Sequence, residues 1–251
     1  MKISKRFVPL INIAIIFIVL NVFLTSKLFA QGFIPLSNYQ AEYKLKSSKY
    51  KLSAKAIRKL NIDAKGNTQL SQKSKIIIAK ISQESRFKTH KNSCDITVEQ
   101  YSYNRKIFGK KNNYHVSFDH NKNQFSEIEN DRRQTLNYED KLYDELSYQE
   151  ALRCELQNKA DIKIGDSFEY VVRTKGKNKT YHFKVNAFET LKNKLGTIKT
   201  VKVSRIRQNK DSKSNSHIWF SKDHQYLLVK FRQTNKDDTL SLDIIKAELK
   251  S

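Results

Sequence analysis

From Tyr39 onward, apolar and polar residues mostly take turns along the chain. Phe168, Tyr170 and Val172 alternate with Glu169, Val171 and Arg173, and Tyr181, Phe183 and Val185 with His182, Lys184 and Asn186. Leu227, Val229 and Phe231 alternate with Leu228, Lys230 and Arg232, and Leu240, Leu242 and Ile244 with Ser241, Asp243 and Ile245. Successive side chains of a strand point to opposite faces, so each run predicts a half-buried strand. The intervals between runs carry turn formers, as in Lys175-Gly176-Lys177-Asn178, Asn193-Lys194-Leu195-Gly196 and Asn235 to Asp238.

The first half reads the same way. Tyr50, Leu52, Ala54 and Ala56 alternate with Lys51, Ser53 and Lys55, and a turn over Asp63 to Asn67 leads back into a run from Leu70 to Ile81. Strands near Ile96 to Ile107 and Tyr114 to Phe118 follow. One segment breaks the period. Ser147 is followed three residues later by Glu150, the spacing of a capping box, and Ala151, Leu152 and Leu156 then fall at helical spacing. The spacing predicts one short helix near 145–158 within an otherwise β chain. Strands at roughly 10-residue spacing with short turns predict an antiparallel meander, forming a curved half-barrel or barrel.

Composition adds a compartment. Lys2, Lys5 and Arg6 precede an apolar run from Phe7 to Leu24, the order of a secretory signal peptide over residues 1–30 with cleavage after Ala30. The competing reading is an uncleaved anchor, since the run approaches the length that spans a bilayer. Either way residues 31–251, read as a single β-rich domain, are delivered outside the cytoplasm, to the periplasm of a Gram-negative cell. A formal charge of +23 would by itself suggest a polyanion partner. However, 37 Lys, 20 Asn and 23 Ile against 6 Gly and 2 Pro indicate an AT-rich coding composition. Only 11 of the 48 basic residues are Arg, the side chain that grips phosphates and guanine edges bidentately. Together with export, this argues against nucleic acid. The charge is also uneven: +13 over residues 31–118, −5 over 119–161 and +11 over 162–251. The acidic stretch reads as a solvated helix and its flanking loop.

The two cysteines, Cys94 and Cys154, both lie in the exported part, and an oxidising compartment favours a disulfide between them. Separate buried thiols and a zinc pair are the alternatives; neither cysteine has a ligand at structural-zinc spacing. No phosphate-binding Gly loop, nucleophile elbow, metalloprotease helix or calcium loop is present. His115, Asp119 and His120 are the nearest approach to a metal cluster, but strand alternation turns His120 to the other face. No cofactor or metal is expected. The acids from Glu127 to Glu155 could supply a carboxylate pair for hydrolysis of an envelope polymer. Tyr and Phe total 26 beside the single Trp219, enough to line either a plain core or an apolar cavity for an acyl chain, with lysines at its rim to meet an anionic headgroup.

The run Tyr143-Asp144-Glu145-Leu146-Ser147-Tyr148-Gln149 with Ala151-Leu152-Arg153 resembles a recurring segment of an uncharacterised family of exported bacterial proteins, DUF3108. Its later landmarks appear in order: Gly165-Asp166, Leu195-Gly196-Thr197, Ile218-Trp219-Phe220 and Leu227-Leu228-Val229-Lys230. Glu145 and Leu228 stand where the family usually has proline. The resemblance marks Asp144, Leu146, Ser147, Arg153, Gly196 and Trp219 as motif residues and implies a mainly β envelope protein, with no catalytic residues to carry over. The expected function is a non-enzymatic periplasmic binding or accessory protein that engages lipid, lipopolysaccharide or another envelope component. The alternative is a hydrolase using acids in the 127–155 segment.

Overall fold

Among the described residues, fourteen strands form one antiparallel sheet. The computed structural model describes residues 32–76, 79–138, 141–207 and 214–250; the predicted signal segment and Ala30 lie outside them. By contacts the chain divides into residues 1–32 and residues 33–251, and the sheet belongs to the second unit. The first eight strands are β1 (Tyr39–Ser47), β2 (Leu52–Ile62), β3 (Asn67–Ile76), β4 (Ala79–Thr89), β5 (Ile96–Ile107), β6 (Lys110–Asp119), β7 (Gln124–Glu129) and β8 (Arg132–Asn137). After helix α1 (Ser147–Asn158) come β9 (Ser167–Thr174), β10 (Lys177–Asn193), β11 (Gly196–Ile206), β12 (Asn215–Ser221), β13 (Leu227–Thr234) and β14 (Thr239–Leu249). Each half is a meander, and the halves join where β1 pairs with β14. The end strands are therefore β8 and β9, and Tyr143 covers part of the outer edge of β9 with a parallel bridge to Val172. The sheet curls without closing, as a half-barrel.

Local chemistry explains most boundaries. In the β2–β3 turn, Asp63 accepts from the backbone of Lys65 and Asn67, and Gly66 adopts φ +82°. A Cβ there would come within 2.6 Å of the Thr89 carbonyl oxygen, so the turn needs glycine twice over. The stretch Leu70–Ile81, expected as one strand, is two: β3 and β4 pair antiparallel with Ile76 opposite Ala79, while positions 77 and 78 lie outside the described residues. Strand β8 is exposed at every position, so no apolar face announced it in the sequence.

Side chains rather than backbone bonds hold the two edges near one another. Arg173 of β9 donates to Glu127 of β7 through Nε at 3.0 Å and Nη2 at 2.7 Å, with its guanidinium 4.5 Å from the Phe125 ring centre. Tyr114 adds a 2.8 Å hydrogen bond to the same carboxylate. Burial opposes ionisation of Glu127, but Arg173, Gln134 and Tyr114 together hold its carboxyl below the usual range.

Helix α1 bridges the sequence between the edges, and nine of its twelve residues are buried. It is not the solvated surface helix that its charges suggested. The expected capping box does not form. Instead Asp144 accepts from the backbone of Leu146 at 2.7 Å and Ser147 at 2.9 Å, and Ser147 Oγ accepts from the Asp144 backbone. Ser85 of β4 donates to the other Asp144 oxygen at 2.5 Å, tying the helix start to the sheet. At the far end a disulfide joins Cys154 to Cys94, in the β4–β5 connection. Asn158 exchanges hydrogen bonds with the backbone of Ile34. Between these anchors Tyr148 stacks on Phe183 at 5.5 Å, and Leu152 and Leu156 are fully buried. Complete burial of a leucine side chain contributes roughly 1.5–3 kcal/mol.

Candidate functional site

A cavity of about 750 Å³ opens beside the start of α1. Leu45, Ala56, Ile81, Phe231, Leu240 and Leu242 give it an apolar wall spread over β1, β2, β4, β13 and β14, and Leu146 and Tyr148 extend that wall from the helix. Gln72, Ser74, Gln83, Ser216 and Gln233 supply uncharged polar groups. A concave site with an apolar wall and a few polar groups is the ordinary form of a small-molecule pocket, and the volume lies within the roughly 300–1,000 Å³ such pockets span.

The charged lining is one-sided. Lys179, Arg205 and Arg207 come from β10, β11 and the residue just beyond β11. Strand periodicity explains why they gather. Along β11, Val201, Val203 and Arg205 share a face that Arg207 continues; along antiparallel β10, Val185, Phe183, Tyr181 and Lys179 do the same. Both rows grade from buried apolar to basic towards the same end of the sheet. Arg205 stacks on Tyr181 with 3.3 Å from guanidinium carbon to ring centre, and Arg207 Nη2 donates to Ser214 at 2.7 Å. The Nε atoms of both arginines are buried without a hydrogen-bond partner. Burial, followed by the charge of Arg205, pulls Arg207 below its ordinary value; burial, Lys177 and Arg205 do the same to Lys179. Glu145 is the one carboxylate among the described lining residues. Burial pushes its carboxyl up, although it accepts a 3.3 Å hydrogen bond from Tyr101.

Below the cavity lies a second, very different charged group. Arg58, Glu150 and Arg153 are each at most 2% exposed. Arg58 donates to Tyr39 Oη at 2.9 Å, Gln149 at 2.7 Å and Glu150 at 3.0 Å. Tyr39 donates to Glu150 at 2.7 Å, and Arg153 reaches the other Glu150 oxygen at 3.2 Å and the Gln225 carbonyl at 3.0 Å. Burial opposes the Glu150 charge, but Arg153 and Arg58 hold its carboxyl below the usual range.

The motif residues divide between two places. Asp144, Leu146, Ser147 and Arg153 meet at α1, where Leu146 lines the cavity and the other three anchor the helix. Gly196 occupies the β10–β11 turn at φ +102°. Trp219 lies on the face opposite Ile218, paired between Lys202 and Lys230, with its indole donating to Glu189 at 2.7 Å. Neither is among the described cavity residues. His115 bonds Gln100 and Ser102, and His120 bonds the Val98 carbonyl and Tyr138, so all four ring nitrogens are engaged. Four acids of 127–155 are dispersed too: Glu127 serves Arg173, Asp144 the helix start, Glu150 the arginines and Glu155 Tyr170, while Glu145 lines the cavity. Sequence reasoning missed Arg58, Lys179, Arg205 and Arg207; the only available signal was that Arg205 and Arg207 continue the inward row of Val201 and Val203.

A family model described as a protein of unknown function (DUF3108) matches residues 46–245. Among curated proteins, no sequence match is found. The chain is similar in structure to a β-barrel-like protein of another domain of unknown function, DUF1849, from Brucella abortus, at TM-score 0.53 and 8% identity, covering 87% of this chain and 100% of that one. A putative outer membrane lipoprotein-sorting protein domain from Vibrio parahaemolyticus aligns at 10% identity over 92% of each chain, with a TM-score of 0.21. At these identities the first likeness concerns the fold alone, and the second is too distant to carry an argument.

Proposed function

Taking as premise that this chain belongs to the DUF3108 family, we propose that it is an exported, non-enzymatic binding protein of the cell envelope that shelters the acyl part of a lipid, lipopolysaccharide or similar amphiphile inside its half-barrel. The observation that carries this reading is the cavity of about 750 Å³ with an apolar wall running from Leu45 to Leu242. An acyl chain laid against that wall gains roughly 0.8 kcal/mol per buried methylene. Among the described acids of 127–155, Glu145 alone lines the cavity while Glu127, Asp144, Glu150 and Glu155 serve structural partners, which supports binding over hydrolysis by two carboxylates facing one substrate. Export is supported by the order of the amino-terminal segment and by the disulfide, which persists in oxidising compartments. Among the described residues, no helix is long and apolar enough to cross a membrane. Native mass spectrometry of the protein purified from the envelope tests the proposal. A co-purifying amphiphile is the expected result, whereas repeated recovery of the bare polypeptide, with no uptake of added lipid, overturns it.

A further inference from the structure

We infer that Lys179, Arg205 and Arg207 form an oxyanion site at one end of the cavity, receiving the phosphate or carboxylate head of a single amphiphile whose chain lies on the apolar wall. This deepens the acyl-binding reading and depends on it: it states which end of the ligand goes where.

Three observations carry it. First, none of the three cations forms an ion pair among the described residues, whereas eleven Lys or Arg pairs with carboxylates are found elsewhere among them. Arg205 and Arg207 are like charges two positions apart on one strand face and both are half-buried, whereas Lys179 is exposed; their mutual repulsion and partial desolvation are relieved when something negative arrives. Second, each arginine keeps a buried Nε–H with no acceptor. Buried polar groups are normally satisfied, and a planar guanidinium offers donors spaced to match a carboxylate or phosphate. Third, polarity is graded. Phe183 and Val203 are fully buried, and the next inward positions, Tyr181 and Arg205, stack on one another before Lys179 and Arg207 follow. Stacking on Tyr181 fixes the plane of the Arg205 guanidinium before any ligand binds, which lowers the entropy of gripping an oxyanion. Among the described lining residues the sole carboxylate is Glu145, whose Oε2 accepts from Tyr101 at 3.3 Å.

The test uses the protein purified from the envelope and stripped of bound lipid. Affinities for dodecyl phosphate, dodecanoate, neutral monododecanoyl glycerol and inorganic phosphate are measured by calorimetry. The wild type should bind both anionic amphiphiles at least tenfold more tightly than the neutral one. The double variant Arg205→Gln, Arg207→Gln should lose that preference, with affinity for both anionic amphiphiles falling at least tenfold. The double variant Arg205→Lys, Arg207→Lys, which retains charge, should keep most of the preference and guards against a folding artefact. Equal affinity for neutral and anionic amphiphiles in the wild type overturns the oxyanion site and leaves acyl binding intact. Binding of no amphiphile at all overturns both readings. Inorganic phosphate bound as tightly as dodecyl phosphate would identify a free-anion site, and the orientation claimed for the amphiphile falls.

Discussion

Two groups of basic residues face the interior of this half-barrel, and they are built on opposite terms. Arg58 and Arg153 surround Glu150 and Tyr39 in a dry network in which both guanidiniums bond the same carboxylate. Arg205 and Arg207 stand at the cavity with a tyrosine face, a serine hydroxyl and two unused Nε–H donors. A buried charge that loses its partner is strongly destabilising, so a paired set signals architecture. A set left incomplete beside an open, partly apolar volume signals a place for a ligand. The first group ties β1 and β2 to α1; the second is the proposed binding surface.

Breaking the paired set should have the largest effect. Glu150→Gln leaves two buried guanidiniums sharing no carboxylate, and the loss should lie near the upper end of the roughly 3–5 kcal/mol typical of severing a buried pair. Urea unfolding measures it. The same variant sharpens the comparison through pH. Glu150 has a lowered carboxyl in the folded state, so its contribution is present above the unfolded value, about 4.3, and is lost as pH falls through the folded one. The acid limb of wild-type stability should therefore be steeper than that of Glu150→Gln, as thermal melts between pH 2 and 6, roughly spanning that range, would show.

Smaller effects follow away from the network. Reducing the Cys94–Cys154 bond, or replacing both cysteines by serine, removes the closure of a loop whose ends are 60 residues apart. The chain-entropy model values that closure at about 4 kcal/mol, with measured values commonly lower, and denaturant titration with and without reductant reads it. Asp144→Ala removes the cap that replaced the capping box and should cost about 1–2 kcal/mol, with a further loss from the stranded Ser85 hydroxyl. Gly196→Ala, at φ +102° in an open turn, should cost roughly 1 kcal/mol and leave ligand affinity untouched. In contrast to all of these, Arg205→Gln with Arg207→Gln should hold or slightly raise stability, because it relieves an uncompensated charge. A large destabilisation there would erase the distinction between the two groups.

The sequence made the sheet legible because half-buried strands write their burial as a period of two. Tyr181-Phe183-Val185 and Leu240-Leu242-Ile244 marked β10 and β14 and their inward faces without further help. The same logic hid the site. Lys179 sits where alternation fades into a turn, and Arg205 and Arg207 look like two more members of a Lys- and Arg-rich composition until the β10–β11 register sets them beside Tyr181. The helix was found by spacing and misread by charge. Glu150 and Arg153 have the look of a solvated face, and Glu150 has the capping-box offset from Ser147. Their actual partner, Arg58, lies on β2, 92 residues from Glu150, a distance no local pattern spans. Edge strand β8, exposed throughout, left no periodic signal to read.

A bulky side chain placed in the cavity should displace its ligand. Ser74 lines the wall and is half-buried, so Ser74→Trp intrudes on the cavity volume without disturbing the charged network or the helix anchors. Affinity for a fluorescent fatty acid is measured for the wild type and for this variant, alongside their melting temperatures. The wild type should bind saturably, and Ser74→Trp at least tenfold more weakly at an unchanged melting temperature. Equal affinity in the two proteins, or no binding by either, would contradict the proposed acyl binding.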